Sequence, residues 1–409
     1  MENSIRLLEE PFIPKDEIIR KGTNRYKEKI IFIQIFFIFT FLFDYLFGQI
    51  ISDFSFSIQE SLDKTKNCHL LRILGKTGTY QAKIFIFIII LNLKDLYSAS
   101  VYVYLMSLSV WLNGNLKLIY RDSRPYWLAD TITPCSCVVN YGSPSTHALN
   151  AIVVYLIVWE CLCTRRIRKL YPIYSLIILF LCLFLAIFNG LIQFFKNVHS
   201  IDQLILGYMI GFGFYYIFFY IIEIDLDNPK EFKKYFKNDR IKLKFIFGNI
   251  ALFFLHVVIH ISMDIPINNQ WKEGMLRFCQ PFILFNWFDY ESYLKACQLF
   301  LPLGVYLGCL IEHSWLFDSE TGIYFKFNFC EVKRWNKTDH FKTAIRLLLM
   351  ILGYFPFSSL FLLGSPEYPL WMYLLFGFII PDFLGGIYIL LISRTLCRLL
   401  LLTNESHKK

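Results

Sequence analysis

The chain has 409 residues, of which 56% are apolar, 19% aromatic and only 18% charged. A soluble domain with so few charges cannot cover its surface, so a cytosolic globular enzyme is excluded, as is disorder away from the chain ends. The net charge of +9 falls in short basic clusters between apolar runs, a pattern of membrane topology and not of a nucleic-acid-binding face.

A bilayer core needs about 20 mostly apolar residues per helix. In chain order such runs occupy residues 30–50, 97–118, 170–195, 201–222, 245–263, 293–311, 344–363 and 371–392, with two shorter ones at 81–93 and 147–162. The expected architecture is therefore an all-α polytopic membrane protein with ten spans, nine being the alternative. Six of these form a core within residues 30–222. Four more form a C-terminal extension over 245–400, set apart by the lysine-rich segment 223–244. Residues 1–29 are charged and lack an apolar core, so no cleavable signal peptide is expected, and Glu2, Glu9, Glu10 and Asp16 argue against a mitochondrial presequence. The 11 cysteines are scattered singly, mostly inside apolar runs, so a disulfide-rich scaffold is not expected.

Basic residues set the orientation. Arg6, Lys15, Arg20, Lys21, Arg25, Lys27 and Lys29 place the N-terminal segment in the cytosol, and counting spans forward puts Thr164–Lys169, 223–244 and 326–342, all basic, on the same side. The tail 401–409 is then cytosolic too, and segments 120–146 and 196–200 face the lumen or exterior.

Three segments on that far side carry polar residues that apolar spans do not need. Lys117 ends a span and Arg124 follows just before Pro125. Two fixed cations at a span end can bracket a phosphate, with Arg as the bidentate partner, although interfacial snorkelling alone also explains such residues. Gly142-Ser-Pro-Ser-Thr-His147 directly precedes a span. Pro144 suits a first helical position and Ser143 or Ser145 a cap, so free N–H groups there would form an anion site with His147 placed to move a proton. His199 opens a later span, with Asp202 and Gln203 one turn away to orient it.

Taken together, K-x6-R-P, then P-S-x-H, then a lone His opening a later span resemble the type 2 phosphatidic acid phosphatase/haloperoxidase superfamily, which includes lipid phosphate phosphatases and glucose-6-phosphatase. Lys117, Arg124 and Pro125 match its first motif. Pro144, Ser145 and His147 match its second, with Thr146 for the usual Gly, and His199 matches the His of its third. The resemblance covers roughly residues 80–222. It implies that Lys117, Arg124, Ser145 and the backbone N–H groups of Thr146 and His147 hold phosphate, that His199 attacks phosphorus, and that His147 protonates the leaving group. It implies no metal and no cofactor.

The third motif departs from the family's S-R-x5-H-x3-D. Gln193 stands where the Arg belongs, and Gln203 stands where the Asp belongs, with Asp202 adjacent. Lys196, one turn after Gln193, is a candidate substitute cation. Two functions compete. One is an integral membrane phosphatase acting on a lipid phosphate or sugar phosphate. The other is a catalytically impaired relative serving as a structural or partner-binding subunit of a membrane complex. Transport is a weaker third, resting on Asp44 and Asp382 inside spans. The expected partners are membrane lipids, the phosphate monoester and, for the second function, membrane-complex subunits, with no nucleic acid. The expected compartment is the endoplasmic reticulum membrane, with the mitochondrial inner membrane or another organelle as alternatives.

Overall fold

The computed structural model describes residues 15–63, 67–227, 238–263, 268–283, 287–315, 337–360, 369–393 and 396. The sequence expectations for residues 1–14, for the stretch 326–336 and for the tail 401–409 lie outside the described residues. Those described form helices and loops and no strand.

Helix α1 (Lys15–Asp63) is unbroken over 49 residues, where a span of 30–50 was expected. No Pro or Gly follows Gly48 to stop it. Its extra turns are held by tertiary bonds: Gln59 Nε2 donates to Phe194 O (3.1 Å) and His199 O (3.0 Å), and Ser55 Oγ accepts from Ile201 N (3.1 Å). A short helix α2 (Cys68–Gly75) then leads at a 42° bend into α3 (Tyr80–Leu93). Helix α4 (Leu96–Tyr120) is capped by Asp95, whose carboxylate accepts from Ser98 N at 2.7 Å. It ends where Arg121 turns left-handed at φ 50°. Helices α5 (Pro125–Leu128), α6 (Thr146–Leu162), α7 (Arg165–Leu170), α8 (Pro172–Phe195) and α9 (Ile201–Tyr216) complete the first unit. α9 continues as a π-turn to Ile221.

Beyond it lie α10 (Asp239–Ser262), α11 (Asn269–Ile283, kinked at Cys279), α12 (Trp287–Cys297), α13 (Phe300–Trp315), α14 (Lys337–Leu360) and a last, partly π-helical span α15 (Leu370–Ile392). Buried residues of α3, α4, α6, α9, α13 and α15 (among them Ile88, Met106, Ile152, Ile210, Val305 and Ile389) share one apolar cluster, so the extension is packed into the core.

Six stretches among the described residues are long and apolar enough to cross a membrane: Tyr26–Asp63, Pro172–Phe195, Ile201–Ile221, Asp239–Ser262, Glu291–Ile311 and Leu370–Ile392, with the bent α2–α3 pair as a seventh. The protein is an integral, multi-pass membrane protein. The remaining expected spans also form helices. α6 is short at 17 residues. α4 has the length, 25 residues, but carries polar side chains that are buried, including Ser98, Ser107, Ser109, Asn113, Asn115 and Lys117. Four of them bond across the bundle, as from Ser109 Oγ to Asn150 Oδ1 on α6 (2.8 Å) and from Asn113 Nδ2 to Pro144 O (3.1 Å). A polar stripe inside a bundle marks a functional interior.

The two ends of the bundle differ. At one, Lys29 pairs with Glu223 (2.6 Å), Arg165 with Asp225 (3.4 Å) and Arg168 with Glu160 (2.6 Å). At the other, Asp63 at the end of α1 bonds Thr133 and Asn197, and two disulfides, Cys68–Cys135 and Cys137–Cys279, tie the 121–145 loop to α2 and α11. These four cysteines are among those read as scattered. Sequence separations of 67 and 142 hide their pairing.

Candidate active site

The expected site residues sit at the disulfide-bearing end, each fixed by a local stop in a helix. The left-handed Arg121 ends α4 one turn after Lys117, whose ammonium donates to Gly142 O (2.9 Å) and to Tyr141 O. Arg124 lies beyond the end of that helix. Its extended backbone (φ −94°, ψ 154°) caps α5, with Pro125 as the first helical residue. The guanidinium is 1% exposed. It donates through Nε to Asn140 O (2.6 Å), through Nη1 to Val198 O (2.8 Å), and through Nη2 to Asn140 Oδ1 and to Tyr141 O (3.2 Å). Its Nη1 also stands 3.4 Å from His199 Nε2.

His199 lies in the loop between α8 and α9 and is 2% exposed. Arginine only donates, so the Nη1 contact assigns Nε2 as an acceptor and leaves the ring proton on Nδ1. Nδ1 faces Gln203 Oε1 at 3.0 Å, and Gln203 Nε2 donates onward to Asp122 Oδ2 (2.7 Å) and Ser123 O (2.7 Å). Burial, then the charges of Arg124, Lys117 and His147, hold the His199 pKa well below its ordinary 6.5. The Nε2 edge of the ring faces the Arg124 guanidinium, and the Nδ1 edge faces Gln203. Burial raises the Asp122 carboxyl and lowers the Arg124 guanidinium. Gly142 is required where it is, because a Cβ there would collide with Gln203 Nε2 and Ser123 O.

Helix α6 begins at Thr146 with Ser145 as its cap, the Ser145 Oγ accepting from Ala148 N at 3.4 Å. Pro144 therefore precedes the cap and is not the first helical residue. Its carbonyl accepts from Asn113 Nδ2 (3.1 Å), and Thr146 Oγ1 donates to Asn113 Oδ1 (2.5 Å). The N–H groups of Thr146 and His147 are the first two of the helix and have no intrahelical acceptor, a geometry suited to an anion. His147 lies against Gly78, whose hypothetical Cβ would be 2.9 Å from its Cδ2. Its Nδ1 is buried with no hydrogen-bond partner among the described residues. The charges acting on it are Lys83, Lys196, Arg124 and Lys117.

The supporting candidates divide. Gln203 holds His199, while Asp202 does not: it faces α1, in a crevice shared with Thr40 and Asp44. Gln193 is buried, its carbonyl accepting from Val198 N (3.0 Å) and His199 N (3.4 Å), and its side-chain Nε2 has no partner among the described residues. Lys196 caps α8 and lies along Gly75, its Nζ 3.3 Å from where a Cβ would sit. Burial and the charges of Arg72 and Arg124 lower its pKa. Sequence reasoning missed Asn140, which holds Arg124 from two sides, and Asp122 at the far end of the His199–Gln203 chain. Asp122 stood inside the first motif, and its part in orienting a distant His had no signal there.

Residues 98–225 match the family model of the PAP2 superfamily. The match agrees with the resemblance carried by the three motifs. It spans α4 to the end of α9 and so contains Lys117, Arg124, Ser145, His147 and His199, while α10 to α15 lie outside it. No curated protein and no solved structure matches the chain.

Proposed function

We propose that the protein is a membrane phosphatase of the PAP2 type that hydrolyses a phosphate monoester through a phosphohistidine at His199. The observation that carries this reading is the pairing at His199: Nδ1 held by Gln203 at 3.0 Å and Nε2 facing Arg124 Nη1 at 3.4 Å. The phosphate would lie among Lys117, Arg124, Ser145 and the N–H groups of Thr146 and His147. His199 Nε2 attacks phosphorus, the bond from phosphorus to the ester oxygen breaks, and His147 gives that oxygen its proton, releasing an alcohol. Water then attacks phosphorus and gives a proton to His147, the phosphorus–nitrogen bond breaks, and inorganic phosphate leaves with His199 restored. Fixed cations stabilise the charge spread over the equatorial oxygens.

The substrate is a lipid phosphate or a sugar phosphate. Disulfides form in oxidising compartments, so the pair at the site end supports a site facing a lumen or the exterior, with the basic end in the cytosol, and an endoplasmic reticulum membrane as the location. A second reading, a catalytically impaired subunit of a membrane complex, is favoured by Gln193, a neutral amide without a partner where the family's third motif has its Arg. Phosphate release from short-chain phosphatidate, sphingosine phosphate and glucose 6-phosphate by the purified full chain separates the two. Release abolished by His199→Ala supports the phosphatase; release by neither protein leaves the impaired subunit as the function.

A further inference from the structure

Helix α12 lies outside the PAP2 match and yet packs along α4 beside Lys117. The side chain of Lys295 crosses α4 at Gly114: a Cβ there would lie 3.1 Å from Lys295 Cβ and 3.4 Å from Lys295 Cδ. Gly114 is one helical turn before Lys117, so the missing side chain opens the path by which Lys295 reaches that level of the bundle. Lys295 is 8% exposed. Glu291, one turn earlier on α12, accepts from Asn140 Nδ2, and Asn140 is the residue that holds the Arg124 guanidinium. One helix of the C-terminal unit thus packs on α4 one turn from Lys117 and reaches Arg124 through Asn140.

The position of α12 is itself fixed by polar bonds. His256 Nδ1 on α10 faces Asn115 Oδ1 on α4 at 3.0 Å, and Ser292 Oγ on α12 lies 3.3 Å from His256 Nε2 and 3.1 Å from His260 Nδ1. The charges that act on Lys117 are Lys295, Arg124, Glu291 and Asp122. With Lys117 itself, that gathers three basic side chains, of which Lys117 and Arg124 are already held by backbone carbonyls and Lys295 arrives from another helix. A third basic group at the level of two candidate phosphate-holding groups supplies a further donor for an anion.

We propose that Lys295 is the third phosphate-binding cation of the site, supplied by α12 in place of the arginine that position 193 lacks, and that the PAP2 domain is incomplete without this helix. The proposal rests on the phosphatase-site reading above but concerns anion binding, which an impaired enzyme would share. Its ligand is the phosphate group of a monoester or inorganic phosphate.

The test is calorimetric titration of the purified full chain with inorganic phosphate, alongside thermal stability in its absence. Lys295→Met is expected to weaken binding about tenfold or more, the loss of one charge-assisted contact. Lys295→Arg should restore it to within a few-fold, and Lys242→Met, on an exposed pair at the opposite end, should not change it. If Lys295→Met fails to fold because Glu291 is left with an unbalanced charge, Glu291→Gln/Lys295→Met removes both charges and is expected to show the same weakening. Wild-type affinity in the folded Lys295 variants, with binding lost in Lys117→Met or in Lys196→Met, overturns the proposal and leaves the site reading standing. No phosphate binding by the wild type overturns both.

Discussion

Gln203 is the most informative single position, because one side chain does two things for His199. Its Oε1 fixes the Nδ1 proton at 3.0 Å, and its Nε2 ties the ring to Asp122 and Ser123, each at 2.7 Å. Gln203→Leu keeps the bulk and removes these three bonds together with the one Oε1 accepts from Ser200 N (3.4 Å). A buried N–H left without its acceptor costs about 1–3 kcal/mol, so kcat is expected to fall roughly five- to 150-fold with little change in KM. Gln203→Glu keeps an acceptor for Nδ1 but places a carboxylate there, which favours the imidazolium. The pH profile separates the two. In the wild type, burial and neighbouring cations hold His199 below 6.5, so the acid limb of kcat/KM should lie below pH 6.5. The Glu variant should move that limb to higher pH, and the Leu variant should not, since the Gln203 hydrogen bond itself raises the His199 pKa. The same depressed pKa sets a stability window. Between the folded value and 6.5 the unfolded chain binds more protons, so stability is full above about pH 6.5 and falls as the pH drops below it. A Gln203→Leu protein with wild-type kcat would refute the orienting role, and with it the assignment of the attacking nitrogen.

Three further outcomes follow. Gln193→Arg should raise phosphatase activity only modestly in the wild type, but several-fold in Lys295→Met, where the third cation has been removed; equal gains in both backgrounds would show that the two positions do not share a role. Breaking Cys137–Cys279 with paired Ser substitutions releases the loop that holds Asn140 from α11, which otherwise packs on α5 through Trp127–Trp271 (6.2 Å) and Tyr126–Phe278 (6.3 Å). A loss of about 2–4 kcal/mol is expected, read as a lower Tm; reductant on the unaltered protein, which also opens Cys68–Cys135, should lower the Tm at least as far. Arg166→Cys should be labelled by an impermeant thiol reagent only from the cytosol, because the basic end and the disulfide end lie on opposite sides; labelling only from the lumen would invert the topology.

The parts of this structure legible in one dimension are those whose signal is local. A membrane span announces itself by composition, which is why helices occupy the described part of each expected run; the choice between Ser143 and Ser145 as cap was settled only by the structure, which takes Ser145. Errors arose where tertiary contacts overrule local pattern. α1 runs past its apolar stretch because Ser55 and Gln59 find partners in the His199 loop. The third motif shows the same limit most sharply. Gln193 is visible in the sequence as a missing charge, and the natural search for a substitute stays nearby and finds Lys196. That search assumes a cation must come from the same helix. A buried phosphate imposes no such rule: it needs donors within reach, from whichever helix passes. Gly114 is small enough to let Lys295 pass across α4, and neither residue carries a motif. The pairing exists only once α12 is laid against α4, so the replacement for a lost residue was unreadable where the loss itself was plain.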